Sequence, residues 1–112
     1  MKLAVERVDD VDIVMLCGQE LDASNVTQFK NDIAPVLEVS AKLVLDMSQV
    51  QFIDSSGLGS LLSCLRQVRT RDGDLKLCGI LKPVQAVFDL VRMHKIFDIY
   101  GTREEAVRAF EQ

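Results

Sequence analysis

Asp54-Ser55-Ser56-Gly57-Leu58-Gly59 is the one stretch of this sequence that ordinary packing does not need. It sets a carboxylate, two hydroxyls and two glycines where a short apolar run gives way to helical spacing. The first turn of a helix leaves backbone N–H groups without partners, and an Asp or Ser side chain there accepts from them. One reading is therefore a helix cap at Asp54 or Ser55, with the glycines letting the chain turn, and composition alone leaves it open beside a functional one. Catalytic readings fit less well. The stretch lacks the first glycine of Gly-x-Ser-x-Gly, so it is no nucleophile elbow. Nothing brings the sole histidine, His94, to the serines as a base, and it reads as a capping or surface residue near a helix end. Gly57-x-Gly59 lacks the third glycine of a dinucleotide loop, and no Gly-Lys-Ser/Thr follows for a P-loop. Asp46 and Asp54 are candidate paired carboxylates, but no spacing makes them meet. Cys17, Cys64 and Cys78 form no Cys-x-x-Cys pair and read as buried thiols in a reducing compartment, with neither zinc nor redox work. The expectation is no catalytic residue, no metal and no cofactor.

The elements that must position this stretch follow from hydrophobic periodicity. Lys2 to Val8 and Asp12 to Cys17 read as two strands joined at the Asp9-Asp10 turn, an antiparallel hairpin. Ser24 is an expected N-cap for a helix carrying Val26, Phe29, Ile33, Val36 and Leu37, which Pro35 should kink or end. Lys42 to Asp46 reads as a buried strand, and Val50 to Ile53 extends or bends away from it. Leu58, Leu61, Leu62, Leu65 and Val68 define the core face of a helix reaching about Thr70, which leaves Ser60, Ser63 and Arg66 as expected exposed partner contacts. Arg71 to Asp74 is a turn with Gly73 as helix stop, and Leu75 to Cys78 a strand parallel to Leu43–Leu45. Pro83 opens a helix with Val84, Val87, Phe88 and Val91 inward, and Phe97 and Ile99 belong to a last short strand. Thr102 and Glu105 form a capping box for a terminal helix, whose Arg103-Glu104-Glu105 start is expected to be solvated. The predicted fold is α/β, a mixed sheet of a hairpin and then parallel strands, packed with about four helices.

Composition bounds what such a fold can do. The 112 residues, 48% hydrophobic and 27% charged, suit a single domain spanning 1–112 with one core. A net charge of −4 argues against binding a phosphate backbone, which needs clustered Lys and Arg. No stretch has the length of a membrane span, and the N-terminus lacks the apolar run of a signal peptide, so the expected location is the cytoplasm.

Phe52-Ile53-Asp54-Ser55-Ser56-Gly57-Leu58-Gly59 resembles the signature of the anti-sigma factor antagonists, small STAS-domain proteins of bacteria. Leu43 to Ser48 resembles that family's Leu-Asp-Leu-Ser-like strand end, and Leu21-Asp22-Ala23 the start of its first helix. The segment from Val87 through Ile96-Phe97 to Glu105-Ala106 is also similar, so the resemblance covers nearly the whole chain. One position departs: the family's glycine three residues before the Asp of Leu-Asp-Ala is Gln19 here, with Gly18 one place earlier.

The resemblance implies a STAS-type fold and a regulatory function. An anti-sigma factor that is itself a serine kinase would phosphorylate Ser56, with adjacent Ser55 as the alternative. The unphosphorylated form would bind that anti-sigma factor and free its sigma factor, and a PP2C-type phosphatase would reset the switch. Asp22 and Asp54 match positions implicated in kinase contact, within a partner-binding loop that includes Ser55, Gly57, Leu58 and Gly59. The alternative implied by the same fold is an accessory subunit of an ABC-type lipid transporter.

Overall fold

The structure, a computed structural model, describes Met1 to Glu111. Strand β1 (Lys2–Val8) and strand β2 (Val11–Cys17) form the antiparallel hairpin. A two-residue strand β3 (Glu20–Leu21) and helix α1 (Val26–Val39) follow, then β4 (Lys42–Asp46), β5 (Phe52–Ile53) and α2 (Ser55–Arg69). The remainder is β6 (Asp74–Cys78), α3 (Lys82–Leu90), a 3-10 turn at Met93–Lys95, β7 (Asp98–Tyr100) and α4 (Arg103–Ala109). Five strands make one sheet in the order β1-β2-β4-β6-β7, and every pairing after the hairpin is parallel. The predicted mixed sheet with four helices is the one observed.

Alternation along the strands sends side chains to two faces. Val14, Leu16, Leu43, Leu45, Leu75 and Leu77 meet Phe29, Ile33 and Leu37 of α1 and Leu61, Leu65 and Val68 of α2 in the main core. Val11, Ile13, Val44 and Cys78 point the other way, onto Ala106 and Val107 of α4. A strand buried on both faces reads as a continuous apolar run, which is why Leu43-Val44-Leu45 carries no alternation.

Several local expectations need correction. Asn25, not Ser24, is the N-cap of α1, because the Ser24 hydroxyl instead donates to Asp22 Oδ1 at 2.5 Å. Pro35 does not end α1, which runs on to Val39. Its ring lies on the exposed side, as does Asn31 one turn earlier, so the carbonyl denied an N–H faces water. In the turn after α2 the left-handed residue is Asp72 (φ 62°), not Gly73. Gly73 is needed for space, since a Cβ there would lie 2.5 Å from the Ala41 carbonyl oxygen. Val91 falls beyond the end of α3 and is exposed, and Phe97 is buried but precedes β7.

Arg103 is not a solvated helix start. Its guanidinium Nε donates to Asp46 Oδ2 at 2.7 Å, and Nη1 reaches Glu6 Oε1 at 2.7 Å. Asp46, buried at the end of β4, also accepts from the Ser48 N–H at 2.9 Å. Burial pushes the Asp46 carboxyl up, but Ser48 and Arg103 outweigh it and hold the group below the usual carboxylate range. Removing the cation leaves a buried carboxylate short of one partner, so Arg103→Ala should destabilise the fold by about 1–3 kcal/mol in urea denaturation. Because the folded-state pKa lies below the unfolded one, this stabilisation is complete above about pH 4 and fades as pH falls through the folded value. Wild type should therefore lose stability more steeply in acid than Arg103→Ala does.

Candidate functional site

The loop before α1 and the start of α2 are brought side by side by a small parallel sheet. Glu20 pairs with Phe52 and Leu21 with Ile53, in a two-stranded sheet separate from the main one. The Gln19 carbonyl extends the join by accepting from Gln51 N at 2.7 Å and Phe52 N at 3.1 Å. Gln19 thus contributes through its backbone with an exposed side chain and no positive φ, so this position has no need of glycine.

Asp54 is the N-cap of α2. Its Oδ1 accepts from Gly57 N at 3.0 Å, the geometry of a side-chain cap, while Oδ2 accepts from Ala23 N at 3.0 Å. One carboxylate therefore closes the helix start and also ties the Asp22-Ala23 loop to it. The N–H of Gly57, then those of Ala23 and Ser56, hold the Asp54 carboxyl below its ordinary pKa. Asp54→Ala should cost about 1–2 kcal/mol, the usual loss for a cap, and loosen Ala23 as well. Amide exchange at Gly57 and Ala23 should accelerate together, because both N–H groups lose the same acceptor.

Asp22 is a neighbour of this cap but is internally engaged. Its Oδ1 accepts from the Ser24 N–H at 2.9 Å and the Ser24 hydroxyl, and its N–H donates to Asn25 Oδ1 at 3.0 Å. The loop is a self-braced turn that presents Ala23 and Ser24 to solvent.

The two serines occupy the first turn of α2, Ser55 exposed and Ser56 half-buried. Among the described residues neither hydroxyl has a hydrogen-bond partner, whereas every other polar side chain of the loop, Asp22, Ser24, Asn25 and Asp54, is engaged. The glycines behind them differ. A Cβ on Gly57 would fall 2.2 Å from the Leu21 carbonyl oxygen and 2.7 Å from Ile53 Cγ1. A Cβ on Gly59 would meet nothing within 4 Å. Leu58 is buried in the main core, so its place in the stretch is structural. Ser60 is buried too, its hydroxyl donating to the Gly57 carbonyl at 2.7 Å, and is not an exposed contact. Ser63 is half-buried and Arg66 exposed.

The other candidate groups do not join this site. Asp46 pairs with Arg103 and accepts from the Ser48 N–H, while Asp54 serves Gly57 and Ala23, so the two carboxylates have separate duties. His94 lies 3.6 Å from Asp89 beyond α3. Cys64 and Cys78 are buried, which pushes both thiols up to about 12, and Cys17 is half-buried. No cluster of three metal-ligating side chains occurs among the described residues, and no helix there is long and apolar enough to cross a membrane.

The fold is shared with known proteins. The family model described as the STAS domain matches residues 2–106. The chain is 30% identical to the anti-sigma F factor antagonist of Paenibacillus polymyxa, over 99% of this chain and 96% of that one. It is 27% identical to the anti-sigma-B factor antagonist of Bacillus subtilis, over 87% and 89%. In solved structures the Bacillus cell fate determinant SpoIIAA in its phosphorylated form has the same fold (TM-score 0.71, 23% identity, covering 97% and 99%). Since the family model spans almost every strand and helix described above and the similarity runs nearly end to end, the chain belongs to the STAS-domain family of anti-sigma factor antagonists.

Proposed function

We propose that this chain is a phosphorylation-switched antagonist, whose unphosphorylated form binds an anti-sigma factor and whose hydroxyl at Ser56 is the switch. The observation that carries this is the free hydroxyl of Ser56 in the first turn of α2, flanked by a loop whose other polar groups are all satisfied. A kinase needs a hydroxyl that costs no internal bond to withdraw, and Ser55 and Ser56 both qualify. That a Bacillus relative of the same fold exists in a phosphorylated form supports the reading, and the antagonist relatives favour it over a transporter subunit.

The partner in this reading is an anti-sigma factor with serine-kinase activity, and a PP2C-type phosphatase restores the binding form. The surface it meets is the Asp22-Ala23-Ser24 turn together with Asp54, Ser55, Ser56 and Gly59, with Arg66 further along α2. Gly57 and Leu58 hold that surface in shape from beneath. The chain itself performs no chemistry and acts from the cytoplasm as one domain, as substrate and ligand of its partner.

The test is a pull-down from the native cell with wild-type, Ser56→Ala and Ser55→Ala baits, followed by phosphosite mapping. Ser56→Ala should retain a kinase-type partner and carry no phosphate, while Ser55→Ala is still modified. Phosphate on Ser55 alone would move the switch by one residue, and an ABC ATPase as the captured partner would overturn the reading.

A further inference from the structure

The two edges of the main sheet are treated differently. Strand β7 is only three residues long and lies beside the Lys76–Asp98 ion pair, so it offers little to pair with. Strand β1 is a seven-residue edge, exposed at every position but Leu3, with Val5 55% exposed on the same face as the main core. Its amide groups on the side away from β2 have no strand beside them. The Met1 nitrogen donates to Asp32 of α1 at 3.1 Å beside this edge.

Charges on an edge usually forbid pairing, but here they select one arrangement. Take a second copy of β1, antiparallel, with the two-fold axis normal to the sheet so that both faces continue. Opposite residues must then share a face, which limits the centre of symmetry to a residue. Centred on Ala4, Lys2 lies opposite Glu6 of the partner copy and Leu3 opposite Val5, so each Lys2 meets a carboxylate and the central apolar side chains meet each other, while Arg7, already held by Asp12, lies opposite Met1. Centred on Val5, Lys2 would face Val8 and Glu6 would face Ala4. Centred on Glu6, two carboxylates would oppose each other. Lys2 has no ionic partner among the described residues, and Glu6 keeps a second oxygen beyond the one that meets Arg103.

We infer that β1 is a self-pairing edge, by which two copies of this chain join Ala4 to Ala4 into one ten-stranded sheet. The interface is isologous, the same strand on both sides. It is also small, so the dimer forms at high protein concentration and dissolves on dilution. It is independent of the phosphorylation reading, because no residue of the α2 start takes part.

Sedimentation equilibrium across a wide concentration range tests it. The mass should rise from 12.5 kDa toward about 25 kDa, and Lys2→Glu should shift the midpoint at least tenfold upward by opposing two carboxylates. Lys2→Glu combined with Glu6→Lys should bring the midpoint back. Ala4→Cys places two thiols on the two-fold axis, within the Cα separation a disulfide spans, and should cross-link on mild oxidation. Val5→Cys, one step off the axis, should not. A constant 12.5 kDa mass without Ala4→Cys cross-linking would overturn the pairing, and cross-linking by Val5→Cys instead would overturn the register.

Discussion

Placing even one carbon at position 57 should break the site and much of the fold with it. Gly57→Ala puts a Cβ 2.2 Å from the Leu21 carbonyl oxygen, and neither contact can relax cheaply. The first is backbone held in the β3–β5 pair, and the second, Ile53 Cγ1 at 2.7 Å, is a core side chain. Either α2 lifts off the small sheet or β3 is pushed away from β5. Overpacking without a flexible neighbour costs about 3 kcal/mol. For a chain of this size that corresponds to a melting temperature lower by roughly 12–20 °C. Gly59→Ala supplies the matched control. Nothing lies within 4 Å of its Cβ, and Gly59 is in the exposed part of α2, so alanine should stabilise by about 0.5–1 kcal/mol through helix propensity alone. The two substitutions change the same atom count two residues apart, and calorimetry should give them opposite signs. Equal effects would mean that the Leu21 carbonyl and Ile53 give way and that space does not require glycine at position 57.

That contrast also marks what sequence reading can reach. Gly57 and Gly59 look alike in the chain, and only the Leu21 carbonyl, far away in sequence, separates them. The same holds for β3. Two residues give no periodicity, so Glu20–Leu21 becomes a strand only because Phe52–Ile53 is there to pair with. Arg103 illustrates the point for charge: Glu104 and Glu105 beside it suit a helix start facing water, and nothing local announces Asp46 and Glu6. By contrast the β1–β2 hairpin, the four helices and the Thr102 cap were legible, because each rests on local spacing. Ser60 lies between these cases. Gly57, Ser60, Cys64 and Val68 recur at the helical period, and all four are buried. The signal was present in small residues, which a search for large apolar ones passes over. Asp54 was legible as a cap, but its second bond, to Ala23, belongs to the fold. That bond is what turns a helix start and a loop into one surface.

Ser56→Asp, or a phosphate on Ser56, is expected to weaken partner binding about a hundredfold while leaving the fold intact. The two halves of this prediction come from the same geometry. Within the chain, a negative charge in the first turn of α2 sits at the positive end of the helix dipole, which favours it by about 0.3–1 kcal/mol. Neither serine hydroxyl is engaged, so no internal bond is lost when one is modified. The melting temperature of Ser56→Asp should therefore stay within a few degrees of wild type. Within a complex the balance reverses. The new charge lies one residue before the N–H that Asp54 accepts from, and the Asp22 turn is tied to that same carboxylate. A partner that covers this surface removes the water that screens three negative groups from one another. A phosphate, at about −1.5 to −2 charges, makes the cost larger than an aspartate does. A hundredfold loss corresponds to about 2.7 kcal/mol, within the range for an uncompensated charge at an interface. Titration of the captured anti-sigma factor with wild type, Ser56→Ala and Ser56→Asp at two salt concentrations separates the causes. If repulsion sets the loss, Ser56→Ala binds like wild type, and salt narrows the gap between Ser56→Asp and wild type. If Ser56→Ala loses as much as Ser56→Asp, the hydroxyl is a binding contact in its own right. The switch would then act by removing a bond rather than by adding a charge.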